Sequence, residues 1–178
     1  DINNVSAGVY YVTVVDSHNC TTVTSATITQ PASPLVSSTT VTNISCNGGS
    51  NGSATASVSG GTPPYSYLWT TGQSTITATG LMPGTYTVTV SDNNGCTLCS
   101  SPTITQPSTP LLLSTTNVTD ATCLSANGSA SEAASGGVPP YYYLWNESAG
   151  QTTTTAINLS AGTYIVAVTD SFGCSQAD

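Results

Sequence analysis

Six cysteines in a chain of 178 residues are the residues best placed to do covalent chemistry, and four of them recur in register. Cys46 and Cys96 occupy the same places in one stretch as Cys123 and Cys174 in the next. The economical expectation is one disulfide per stretch, Cys46–Cys96 and Cys123–Cys174, each closing a loop of about 50 residues and removing roughly 4 kcal/mol of denatured-chain entropy. Cys20 would then lack its partner, and Cys99 has no counterpart elsewhere. Spacing alone does not fix connectivity, so pairing between neighbouring stretches, or of Cys20 with Cys99, stays open. A metal reading is weak: the C-x-x-C of Cys96 and Cys99 has no second pair and no nearby His to complete a tetrahedral set.

The remaining candidates are acidic, aromatic or hydroxylic. Asp16, Asp92 and Asp170 each open a short turn that ends in cysteine. They read as Asx-type turns with Asn or Gly in the left-handed position; calcium would need several more oxygens than one carboxylate per turn offers. His18, the single histidine, sits in one such turn and has no counterpart in the others. The abundant Ser and Thr lack a base to activate them. Glu132 and Glu147 have the types of a glycosidase pair, but nothing in the sequence holds them together. Tyr65, Tyr67, Tyr141 and Tyr143 are candidate surface-contact aromatics, suited to stacking on sugars or to a protein interface. Eight N-x-S/T sequons (Asn4, Asn19, Asn43, Asn51, Asn117, Asn127, Asn146, Asn158) are what so much Asn, Ser and Thr produces by chance. No catalytic residue and no cofactor is expected.

These residues are positioned by a strand that occurs three times, Gly8–Cys20, Gly84–Cys96 and Gly162–Cys174. Each copy has a Gly, a Tyr two residues on, alternating apolar positions, an Asp turn and a Cys. Strict alternation over such a run is the pattern of a half-buried β-strand, with Tyr86, Val88 and Val90 facing a core. The copies start 76 and 78 residues apart, so the chain is an array of domain-sized repeats. Residues 1–31 read as the C-terminal part of a first repeat, 32–107 as a complete one, and 108–178 as one lacking its last strand. Within 32–107, strands are expected at 35–45, 53–59, 65–69, 74–79, 84–91 and 96–105, separated by Asn/Gly and Gly-Gly-Thr-Pro-Pro turns. Short strands with turn signals and no helical period define an all-β fold of tandem immunoglobulin-like β-sandwiches. Trp69 and Trp145 would fill the centres, and Leu81–Tyr86 has the spacing of a tyrosine corner.

Composition limits the function classes. The chain contains no Lys or Arg, its net charge is −8, and charged residues make up 4% against about 25% in an ordinary soluble domain. With no cation to neutralise phosphate, nucleic-acid binding is excluded, as is attraction to an anionic membrane. Cysteine in so uncharged a chain suits an oxidising, extracellular setting. These 178 residues hold neither a signal peptide nor an apolar run long enough to cross a bilayer, so such elements are expected outside them.

The series Cys46-Asn47-Gly48-Gly49, Asn51-Gly52-Ser53-Ala54, Gly60-Gly61-Thr62-Pro63-Pro64-Tyr65, Leu68-Trp69 and Gly84–Val90, closing in Asp92 and Gly95-Cys96, closely resembles the SprB repeat. That repeat occurs in tandem in large surface adhesins and gliding-motility proteins of Bacteroidetes-type bacteria. The likeness spans 43–107 and 120–174 and the last third of the pattern in 1–31. Two departures stand out: Leu124-Ser125-Ala126 replaces Asn-Gly-Gly, and Glu132 stands where Ala56 would point inward, so either it lies on an edge or the alternation shifts. The resemblance implies export to the cell surface by a type IX route and a mechanical or adhesive task, with no catalytic residues to carry over. Partners would be neighbouring repeats or copies of the same protein, surface glycans or other surface proteins. Two rivals are a filament subunit that polymerises by strand exchange and a carbohydrate-binding module of a secreted hydrolase.

Overall fold

The computed structural model describes residues 3–123 and 125–178; Leu124, part of the departure noted above, lies outside them. The described residues are all-β and contain no helix. The chain opens with a two-stranded antiparallel hairpin, β1 (Gly8–Val15) and β2 (Thr21–Ile28), paired in unbroken register from Gly8↔Ile28 to Val15↔Thr21. Its valines are largely exposed.

The second unit contains β3 (Val36–Thr42), β4 (Gly52–Ser59), β5 (Ser66–Trp69), β6 (Thr77–Leu81), β7 (Gly84–Thr85), β8 (Val88–Ser91), β9 (Thr97–Ser100) and β10 (Thr103–Ile104). Sheets β3-β4-β6 and β5-β8-β9 are both antiparallel, and β7 pairs with β10. In chain order this is the A-B-E and C-F-G partition of the immunoglobulin sandwich. The core between the sheets holds Trp69 with Ile44, Ala54, Ala56, Leu81, Val88, Val90 and Ile104. Each larger apolar side chain so buried contributes about 1.5–3 kcal/mol. The Trp69 indole is satisfied by the carbonyl of Thr75 at 2.9 Å.

Gly84–Cys96 is not one strand here. It breaks at Tyr86-Thr87, because β7 belongs with β10 while β8 belongs with β5 and β9. The expected 96–105 strand likewise breaks at Ser101-Pro102, where Pro102 donates no ladder bond. Tyr86 marks the crossing and donates its hydroxyl to Met82 O at 3.0 Å, the tyrosine corner; Tyr164 to Ser160 O and Tyr10 to Ser6 O repeat it.

The third unit repeats the plan with β11 (Leu112–Thr119), β12 (Gly128–Ser135), β13 (Tyr142–Trp145), β14 (Thr155–Leu159), β15 (Val166–Thr169) and β16 (Ser175–Ala177), in sheets β11-β12-β14 and β13-β15-β16. Trp145, Ala156, Leu159, Val166 and Val168 form its core. In this unit β16 takes the place that β9 has in the second, paired with β15 as β9 is with β8. Beside β12 and Leu159 lies a cleft of about 330 Å³.

A surface without Lys or Arg is tied by hydroxyls. Thr55 meets Thr77 at 3.0 Å, Thr85 meets Thr103 at 3.0 Å, and Ser131 meets Thr155 at 2.8 Å, all between strands. Such pairs contribute about 0.2–1 kcal/mol each.

Candidate functional site

The feature that distinguishes this molecule from a set of separate sandwiches is the joint between its second and third units. Cys46 is disulfide-bonded to Cys174, 128 positions further along the chain, with Cα atoms 5.6 Å apart. Cys20, Cys96, Cys99 and Cys123 are exposed free thiols. The expected Cys46–Cys96 and Cys123–Cys174 pairs are therefore corrected, and the bond that forms is the one between neighbouring repeats.

The reason is geometric. Cys46 follows β3 at the end of the sandwich where Ile44 N donates to Thr105 O and the Asn47 amide donates to Pro107 O. Cys96 follows β8 at the opposite end, where Asn93 N donates to Thr62 O beside Leu35 and Gly61. The seven residues of β3 lie between these ends, a span of about 23 Å, whereas a disulfide tolerates a Cα separation of no more than about 7 Å. The second unit therefore presents Cys46 at one end and Cys96 at the other, and Cys46 meets the turn cysteine Cys174 of the third unit.

The joint has a second tie, the peptide linker. Thr105, Gln106 and Pro107 are held by the second unit: Thr105 N donates to Asn43 Oδ1 at 3.0 Å, and Gln106 Oε1 accepts from Gly48 N at 2.8 Å. Thr109 O accepts from Gly137 N at 3.1 Å, and Leu111 is buried. Ser108 lies between the two sets of contacts. Pro110 O packs so closely on Gly136, at φ +69°, that a Cβ there would overlap it.

The Asp turns aim the turn cysteines. Asp170 accepts N–H bonds from Val138, Phe172 and Cys174, each at 2.9 Å, and Asp92 accepts the equivalent bonds from Thr62, Asn94 and Cys96. For Asp92 the Thr62 N–H is the main cause of a lowered pKa, working against burial and helped by Cys96 and Asn94. Burial pushes Asp170 up, but the N–H groups of Val138, Cys174 and Phe172 outweigh it and hold the carboxyl below its ordinary value. Asp16 accepts from His18 N and Cys20 N. These are the expected Asx-type turns, with Asn19, Gly95 and Gly173 left-handed.

The other sequence candidates are not brought together. His18 lies exposed in its turn. Glu147 caps the loop after β13, accepting from Ala149 N and Gln151 N, and the Gln151 bond is the main cause of its lowered pKa. Glu132 is neither on an edge nor shifted in phase: it occupies the inward Ala56 position of the central strand β12 and is 3% exposed. Its Oε2 accepts from Thr115 Oγ1, Oε1 has no partner among the described residues, and Glu132 borders a cleft of about 290 Å³. Tyr65, Tyr67, Tyr141 and Tyr143 are corrected as surface-contact aromatics. They alternate inward with the tryptophans, half-buried against the two cores, and the Tyr65 and Tyr141 hydroxyls donate to Gly60 O and Gly136 O. Tyr142, the outward residue, is 62% exposed.

Consecutive immunoglobulin-like sandwiches with a short, doubly tied linker define a tandem-repeat array. The family model for the SprB repeat matches two segments, 38–74 and 115–150, one in each of the second and third units. SprB repeats occur in cell-surface proteins of Bacteroidetes-type bacteria and are structural repeats, not an enzyme family. No curated protein matches the chain.

Proposed function

We propose that this chain is a non-enzymatic structural and adhesive region of an extracellular bacterial surface protein, with repeats bounded near residues 31 and 107. Its task is to span distance as a stalk or fibre. The observation that carries this reading is the Cys46–Cys174 bond acting beside the linker 105–111. A single peptide linker lets two sandwiches swing; two ties, one covalent through side chains, restrict that motion and transmit tension along the array. The surface suits the same role, since Thr and Ser hydroxyls keep strands wet and paired without cations. The carbohydrate-module reading loses its main support, because the tyrosines assigned to a sugar platform pack inward.

Small-angle scattering tests the reading. An extended array predicts a radius of gyration well above the roughly 16 Å of a compact globule of this length, and a value near 16 Å overturns it.

A further inference from the structure

The occupied joint has a twin one repeat earlier. Around Cys174, the residues Pro110, Leu111 and Gly137 form a frame filled by Cys46 and Asn47, leaving a crevice of about 150 Å³. Around Cys96, the residues Pro34, Leu35 and Gly61 form the same frame, and the open space is about 330 Å³. The match extends to individual bonds. Gly61 N donates to Ser33 O at 3.0 Å as Gly137 N donates to Thr109 O at 3.1 Å. Pro34 O packs on Gly60 as Pro110 O packs on Gly136. Asp92 aims Cys96 as Asp170 aims Cys174, through N–H bonds of 2.9 Å. The wider space is bordered by Gln30 and Pro31, which correspond to Gln106 and Pro107, the residues that accept Gly48 N and the Asn47 amide at the occupied joint.

We propose that the socket around Cys96 is a docking and disulfide-forming site for the Cys-Asn-Gly loop of another SprB repeat, placed N-terminal to it in the same polypeptide. Two observations carry this independently: an exposed free thiol in a preformed socket, and an equivalent socket that holds such a loop covalently. The same-chain source follows from the occupied joint, where the loop comes from the repeat immediately N-terminal. The Asn side chain and the following N–H would dock on Pro31 O and the Gln30 side chain. The Cys96 thiolate then attacks the loop sulfur, which is already part of a small-molecule or protein disulfide. The new S–S bond joins the repeats, the displaced sulfur leaves with the electron pair as a thiolate, and the Cys96 proton passes to solvent. Cys99, also exposed but outside the socket's lining, would not share this preference.

The inference rests on the array reading, but the two fail separately: scattering can show an extended particle whether or not Cys96 is selective. The test uses the 178-residue chain and a peptide of residues 44–49, Ile-Ser-Cys-Asn-Gly-Gly, with its cysteine held as a nitrothiobenzoate mixed disulfide. Rates are compared for the native chain, Cys96→Ser and Cys99→Ser. Cys96 is expected to react at least about tenfold faster than Cys99, the ratio that a docking advantage of about 1.4 kcal/mol sustains, and Asn→Ala in the peptide is expected to abolish the difference. Equal rates at Cys96 and Cys99, or an Asn→Ala peptide that reacts as fast, would overturn the socket. The source is read on the native polypeptide without reductant. A Cys96 link within a particle of single-chain mass supports the same-chain assignment, and a link between two copies, or a free Cys96, overturns it.

Discussion

Asp170→Ala removes the acceptor around which the Cys174 turn is built. The carboxylate takes three N–H bonds at 2.9 Å, and the residue is 2% exposed. Hydrogen bonds to a charged group contribute about 1.5–3 kcal/mol each, so three set a ceiling of roughly 5–9 kcal/mol. The Phe172 and Cys174 N–H groups lie near the surface and regain water on truncation, whereas Val138 N is left facing the emptied site. The expected loss is therefore about 2–4 kcal/mol. Asp170→Asn preserves the shape but turns an amide N–H₂ toward an N–H donor, and should cost nearly as much. Urea unfolding followed by tryptophan fluorescence measures both, since Trp145 reports the third unit and Trp69 the second; a Trp69→Phe background isolates the former. The sign with pH follows from the direction of the shift. The folded carboxyl lies below its ordinary value of 3.8, so its contribution is full above the unfolded pKa and is lost as pH falls through the lower folded one. The gap between native and variant should be complete at neutral pH and shrink in acid below about pH 4. A gap under about 0.5 kcal/mol at neutral pH, or one that widens in acid, would refute the reasoning.

The other substitutions test separate parts of the account. Glu132→Ala restores the Ala56 pattern and removes a buried carboxylate oxygen without a partner, so urea unfolding should show a gain of about 1–3 kcal/mol; a loss of that size would mean the carboxylate has a stabilising partner. Gly60→Ala, at φ +69° against Pro34 O, should cost the second unit about 2–4 kcal/mol on the same assay, and a neutral result would contradict the close approach. Cys46→Ser should separate the Trp69 and Trp145 unfolding transitions, with a loss of up to about 5 kcal/mol in the loop-entropy model; transitions that stay superimposed and unshifted would show that the bond couples nothing.

Much of the fold was legible in the residues because period-2 alternation reports burial directly. Ala54, Ala56, Val88 and Val90 are buried, and both tryptophans fill cores. The Asp turns and tyrosine corners were legible because each is a local device of four or five residues. The strand breaks were not, since the switch of sheets at Tyr86-Thr87 depends on where β10 pairs. The inward tyrosines were misjudged because the phase of Tyr65–Trp69 is set by Trp69, whose burial fixes Tyr65 and Tyr67 on the same side. The disulfide was the largest miss. Repeat equivalence identifies two kinds of cysteine but not the ends they occupy. That signal was nevertheless present: β3 runs away from the Gly60-Gly61 turn, while β8 returns to it, so Cys46 and Cys96 must part company.

The doubly tied joint depends on the Cys46–Cys174 bond, and digestion before aspartate without reductant tests it directly. Cleavage before Asp16, Asp92, Asp120, Asp170 and Asp178 isolates Cys20 with Cys46 in 16–91, Cys96 with Cys99 in 92–119, Cys123 in 120–169 and Cys174 in 170–177. The structure predicts a covalent 16–91 plus 170–177 pair that persists in Cys20→Ser and disappears in Cys46→Ser. Recovery instead of 16–91 linked to 92–119, with 120–169 linked to 170–177, would mean that each repeat closes on itself and that the doubly tied joint does not exist.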